Sequence, residues 1–236
     1  MIVTIDGPSG TGKSTVARRV AKELHFVFFD TGAMFRTLAW GILLSRTHHA
    51  NEEEVIAFLK NHPIVVRKVG EELRYFLGQT DATDHLRSPE VSQLASKIST
   101  IQYVRQVLKE TQQKEAIGID AVFEGRDMGS IVFPNAEVKI FLTASPEIRA
   151  ERRFLELITK NPALKETLTF EEVLKESQER DERDLTRAIA PLKPAPDAQI
   201  IDTSHMSIDE VVRAIVELAN IEKNSTQRHR DTKKKK

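Results

Sequence analysis

The chain has 236 residues, 40% of them hydrophobic and 30% charged, with a formal net charge of zero and no cysteine. That is enough for one α/β domain with insertions and a sizeable core, and it excludes a disulfide framework and any Cys-ligated metal site. The apolar run at 38–44 is far shorter than the roughly 20 residues that cross a bilayer. The N-terminus opens on a strand pattern rather than a targeting segment, so no membrane partner and a cytoplasmic location are expected.

The first element is the short β-branched run Ile2-Val3-Thr4-Ile5, which reads as a buried strand. It leads into Gly7-Pro8-Ser9-Gly10-Thr11-Gly12-Lys13-Ser14-Thr15, a match to G-x-x-x-x-G-K-[ST]. Val16, Ala17, Val20, Ala21 and Leu24 then recur at helical spacing. Strand, glycine loop and helix are the context in which this motif cradles phosphates. The glycines allow backbone N–H groups to turn inward, and the helix adds the positive end of its dipole. Lys13 brings a mobile charge to the outer phosphates, and the Ser14 hydroxyl can ligate Mg²⁺.

A second apolar strand follows at 26–29, ending in Asp30. Thr31 is placed to cap the next helix, which carries Arg36. A short helix is marked by Val55, Ile56, Phe58 and Leu59. Two runs flanking Gly70, at 64–66 and 73–77, suggest an antiparallel hairpin, a β-insertion in an otherwise alternating chain. Pro89 suits a helix start, and 91–114 reads as mostly helical. Strands are expected again at 121–123, 138–142 and 199–202. Between the last two lies a highly charged helical stretch, 147–187, broken at Asn161-Pro162, and the amphipathic run Ile208, Val211, Val212, Ile215, Val216 closes the fold. The alternation implies a five-stranded, mainly parallel sheet with helices on both faces. The tail from Lys223 has seven Lys/Arg and one acid, a charge of +6 against −6 for the remainder. With almost no apolar content it is expected to be disordered, and with no aromatic side chain between its charges it is not expected to bind nucleic acid.

In such sheets ligands bind beyond the carboxyl ends of the strands. Arg36 and Arg126 fall there, beside the phosphate loop, and a planar guanidinium grips phosphate oxygens in two places, so a second phosphorylated ligand facing the first is expected. Arg149 and Arg153 share one helix face and Arg180, Asp184 and Arg187 another, which suggests a helical lid that closes over phosphates and excludes water.

These segments resemble bacterial cytidylate kinases, from about residue 1 to about residue 222. The motifs are 5–15, Asp30-Thr31-Gly32-Ala33-Met34-Phe35-Arg36, Glu124-Gly125-Arg126-Asp127-Met128-Gly129 running on to Pro134, and Arg180-Asp181-Glu182-Arg183-Asp184-Leu185-Thr186-Arg187-Ala188. The resemblance implies a P-loop NTPase-type α/β fold in a single kinase domain, 1–222, with a monophosphate-binding insertion at about 61–114 and a lid at about 150–187. It implies a monomeric enzyme transferring the γ-phosphoryl of ATP to CMP or dCMP with Mg²⁺. By position, residues 7–15 and Arg149 would bind ATP, and Ser14 would serve Mg²⁺ together with ATP and water. Lys13, Arg126 and Arg153 would act in catalysis. Arg36 and Arg126 would hold the acceptor phosphate, Thr31, Arg105, Asp127 and Arg187 would line the pyrimidine pocket, and Ser96, Arg180 and Asp184 would lie near the sugar. Three positions depart from the family pattern: Thr31 stands where Ser is common, Phe35 replaces a usual Tyr, and Glu124 replaces a usual Asp. Competing readings are a kinase for UMP, AMP or shikimate, and a non-catalytic nucleotide switch. The latter lacks support, since no Asn-Lys pair of a guanine-reading motif occurs.

Overall fold

The computed structural model describes residues 1–70 and 72–233, with 226–233 described by backbone alone. In chain order the elements are β1 (Ile2–Asp6), α1 (Lys13–Leu24), β2 (Val27–Asp30), α2 (Thr31–Ser45), α3 (Glu52–Asn61), β3 (Ile64–Val69), β4 (Glu72–Leu77), β5 (Thr80–Asp81), α4 (Pro89–Ile98), α5 (Gln102–Glu115), β6 (Ala121–Glu124), β7 (Val138–Thr143), α6 (Pro146–Lys160), α7 (Phe170–Thr186), β8 (Gln199–Asp202) and α8 (Ile208–Lys233). The chain forms two compact units: residues 1–28 with 119–236, and residues 29–118.

The first unit is built on a sheet of strand order β2-β6-β1-β7-β8. β1 pairs in parallel with β6 (Ile2 opposite Ala121) and with β7 (Val3 opposite Val138), and β8 pairs in parallel with β7. Alternation along β1 assigns its faces. Val3 and Ile5, with Val122, Ile140 and Leu142, pack under Val16, Ala17 and Val20 of α1 and Val211, Val212 and Ile215 of α8. The opposite face carries Thr4, Phe123 and Lys139, all buried. The π-type turn Met128–Val132 packs against β1, and the ring of Phe133 after it lies 4.4 Å from that of Phe123.

The second unit is helical around a small antiparallel sheet, β3-β4-β5. The hairpin around Gly70 is as expected; β5, only two residues long, had no periodicity to announce it. The unit is larger than the insertion expected at 61–114, because α2 packs on α3, α4, α5 and β4. Gly41 makes this approach possible: a Cβ there would run into Leu77 and lie 3.1 Å from the Phe58 ring. Trp40, the protein's one tryptophan, stacks on His85 at 5.3 Å between ring centroids.

Two local expectations change. Asp30, not Thr31, caps α2: its side chain accepts from the Ala33 N–H at 2.9 Å, a carboxylate being the stronger acceptor at a helix N-terminus. The basic tail, expected to lack structure, continues α8 as far as Lys233. No glycine or proline interrupts it, and Lys223 lies over the Phe26 ring at 5.9 Å. Residues 234–236 lie outside the described residues. Among the described residues no helix is long and apolar enough to cross a membrane.

Candidate active site

In the first unit, β1 delivers the chain into the phosphate loop and α1 leaves it. Gly10 has φ +81, and a Cβ there would lie 2.8 Å from both the Cβ and the carbonyl oxygen of Arg149, so neither the backbone nor the space admits another residue. No side chain caps α1 at Gly12, and its first turn contains no acid. The positive end of the helix is thus left to an anionic ligand. Within the loop, Lys13 Nζ donates to the Pro8 carbonyl at 2.6 Å and Thr11 Oγ1 to the same oxygen at 3.1 Å. Ser14 Oγ donates to Glu124 Oε1 at 3.0 Å, across from the end of β6.

Behind the loop lies Arg149. It is buried, not displayed on the lid surface: Nε donates to the Ala144 carbonyl, Nη1 donates to the Ser9 carbonyl at 3.1 Å, and Nη1 pairs with Asp181 of α7 at 2.7 Å. Arg153, one turn further along α6, is half-exposed and pairs with Glu156. The two arginines expected on one face thus differ in surroundings: Arg149 is buried and pairs with Asp181 of α7, whereas Arg153 pairs with Glu156 of its own helix. Arg149 ties the phosphate loop to α7.

The third group gathers beyond β6. Asp184 of α7 accepts from Arg126 Nε at 3.1 Å and lies 3.6 Å from Arg187 Nη1. Asp127 lies 3.9 Å from Arg187 Nη2. Burial opposes the charge of Asp184, yet Arg126, Arg180 and Arg187 outweigh it and hold its carboxyl below the ordinary range. Lys13 belongs to the same electrostatic neighbourhood. Burial, then the charge of Arg126 and also that of Arg180, push its ammonium down to about 7, while Glu124 and Asp6 work the other way. A buried lysine whose proton affinity is lowered beside arginines calls for an anion.

The second unit carries the remaining expected residues. Arg36 Nη2 pairs with Asp30 Oδ2 at 2.7 Å. Arg105 lies over the Phe35 ring at 5.7 Å, a ring that keeps the stacking surface of the Tyr usual there. Thr31 is buried, and Ser96 Oγ is buried without a hydrogen-bond partner among the described residues.

The family model described as "Cytidylate kinase" matches residues 3–221. The chain belongs to the cytidylate kinase family. It is 45% identical over 217 residues to the cytidylate kinase of Protochlamydia amoebophila (strain UWE25), covering 92% of this chain and 95% of that one. It is 42% identical over 218 residues to that of Carboxydothermus hydrogenoformans (strain ATCC BAA-161 / DSM 6008 / Z-2901), with 92% and 96% covered. It is 43% identical over 223 residues to that of Listeria monocytogenes serotype 4b (strain CLIP80459), with 94% and 97% covered.

For this member of the cytidylate kinases, sequence reasoning gave Asp6 and Asp181 no role. Asp181 is one of several acids on a charged helix, and only its pairing with Arg149 sets it apart. Asp6 is buried at the end of β1, with Oδ1 accepting from the Met128 N–H at 2.9 Å and Oδ2 from the Gly129 N–H at 2.8 Å. Burial, with help from Asp127, raises it to about 7, against the two N–H donors and Lys13.

Among the described residues no cluster of three His, Asp or Glu side chains could hold a metal alone. The Ser14 hydroxyl beside the Glu124 carboxylate nevertheless fits Mg²⁺, a hard cation that takes few protein oxygens and completes its shell with phosphate and water.

The two shifted groups make a prediction. Unfolding returns Lys13 to 10.5, so below about pH 7 the folded protein must bury a charge, a cost that fades as pH rises from 7 to 10.5. Asp6 has the opposite sense: its cost sets in as pH rises from 3.8 to about 7. In the nucleotide-free protein, Lys13→Met is expected to raise the melting temperature by several degrees at pH 6–7, with the gain vanishing near pH 10. A gain independent of pH in thermal melts would contradict the assignment.

Proposed function

We propose that the protein transfers the γ-phosphoryl group of ATP to CMP or dCMP, giving ADP and the corresponding diphosphate. The observation that carries this reading is the group of Arg126, Arg180 and Arg187 around Asp184 and Asp127, in the same unit as the phosphate loop and electrostatically coupled to Lys13. A loop of this kind alone accounts for one phosphate chain; these additional guanidiniums suit a second.

No general base is required, because the acceptor phosphate is already anionic. The protein's work is to position two phosphates and neutralise charge. Residues 7–15 are assigned to ATP, with Lys13 at its outer phosphates. Arg149 and Arg153 were expected to touch ATP or the moving group. The buried position of Arg149 supports a role beneath the loop, while half-exposed Arg153 retains the assignment to the transferring phosphoryl. Arg126 is assigned to the acceptor phosphate, oriented by Asp184. Asp127 and Arg187 are assigned to the pyrimidine and Arg180 and Asp184 to the sugar side. From the second unit, Arg36 is assigned to the acceptor phosphate, Thr31 and Arg105 to the base and Ser96 to the sugar. Ser14 and Glu124 would hold Mg²⁺, which when bound supplies charge neutralisation on the phosphates. We further assign the enzyme to the cytoplasm, with which the absence of cysteine agrees, and, by its resemblance, to a monomeric state.

A panel of CMP, dCMP, UMP, AMP and shikimate in an ADP-release assay tests the function. CMP and dCMP are expected to be the fastest acceptors, ahead of UMP by about 100-fold or more in kcat/KM. Equal turnover of UMP, or turnover of shikimate alone, would overturn the reading.

A further inference from the structure

β1 ends in Asp6, and the next residue, Gly7, begins the phosphate loop. The side chain of Asp6 turns away from that loop's path to the segment after β6, where each carboxylate oxygen accepts one backbone N–H, from Met128 and from Gly129. These amides open the π-type turn that immediately follows Arg126 and Asp127. The turn also lies close against β1 and β7: a Cβ on Gly129 would lie 2.8 Å from Thr4 Oγ1 and 3.3 Å from Lys139 Cγ. Thr4 Oγ1 has no hydrogen-bond partner among the described residues, so it gives the turn a surface and no directional bond.

We propose that Asp6 is a positioning residue for the acceptor nucleotide: by gripping the Met128 and Gly129 amides it fixes the backbone from which Arg126 and Asp127 project. The inference rests on the assignment of those two residues to CMP. The two N–H donors are met by the two oxygens of one carboxyl group. An amide offers one acceptor and turns an NH₂ toward the other N–H, so Asp6→Asn keeps the shape of the side chain and breaks one of the two bonds. Burial raises the cost of ionising Asp6, and the two N–H donors offset part of that cost.

The test separates acceptor from donor. Asp6→Asn is expected to raise KM for CMP about tenfold and narrow the CMP-over-UMP ratio by a similar factor, with KM for ATP within about twofold of the parent. Gly129→Ala, whose backbone is outside the left-handed region, presses the same turn off Thr4 of the same strand and should give the same signature. Adding Thr4→Ala removes the atom it strikes and should recover most of the loss. Asp6 borders the phosphate loop, so a merely structural role would raise KM for ATP at least as much as for CMP; that result, or unchanged kinetics, overturns the proposal. Should Asp6→Asn not fold, Gly129→Ala and its Thr4→Ala rescue decide alone. Arg126→Ala is measured alongside. If it weakens CMP while the turn variants do not, only the role of Asp6 falls; if it too leaves CMP untouched, the acceptor assignment falls and this inference with it.

Discussion

Lys13→Ala is expected to lower kcat by about a thousandfold while KM for CMP stays within about threefold of the parent. The side chain is buried and folded back onto the Pro8 carbonyl, so it is held over the loop and does not sweep through solvent. Its contribution is a single positive charge where negative charge grows in the transition state, in surroundings that water screens poorly. Burial first, and then Arg126 and Arg180, lower its proton affinity, and the negative charge of a phosphate chain acts in the opposite sense. Arg126→Ala should behave differently, with KM for CMP rising and kcat falling together, because the same fork would hold the acceptor in both ground and transition states. Steady-state kinetics with each substrate varied in turn distinguish the two. A Lys13→Ala enzyme with native kcat, or an Arg126→Ala enzyme with native kinetics, would remove that residue from the reaction.

Asp127→Asn carries the second large effect, on base choice. Cytosine presents an N4 amine beside N3 and O2 acceptors, whereas uracil presents an acceptor at O4 and a donor at N3. An ionised carboxylate can only accept, so it pairs with the first and opposes the second. The substitution should lower kcat/KM for CMP about 100-fold and bring UMP within about tenfold of it, because the amide can present either a donor or an acceptor. Arg187 lies 3.9 Å from Asp127 and donates through Nε to the Ala190 carbonyl at 2.5 Å, which places a guanidinium beside the carboxylate. A variant that loses CMP and UMP activity by the same factor would assign Asp127 to structure and not to recognition.

Much of this architecture could be read from local pattern. The strand–loop–helix around Lys13, the hairpin at Gly70 and the interruption at Asn161-Pro162 each rest on residues within a dozen positions of one another. What escaped depends on distant partners. The π-type turn at Met128–Val132 is organised by Asp6, which lies far away in sequence. Arg149 reads as a surface cation on an amphipathic helix; only the approach of the Ser9 carbonyl and of Asp181 makes it a buried tie. β5 is too short for alternation to register. Asp30 and Thr31 are both good capping residues, and the stronger acceptor, the Asp30 carboxylate, takes the cap.

Strand order also bears on how the chain reaches this fold as it is synthesised. β1 leaves the ribosome first yet is flanked by β6 and β7, both made only after the whole of residues 29–118. Its Val3 and Ile5 have no sheet partner until then, a delay that topology imposes whatever the sequence. The intervening stretch has helices and a hairpin whose contacts are internal, so it can collapse early while the first strand waits. Nascent-chain proteolysis would register this as protection of the middle segment ahead of either terminus.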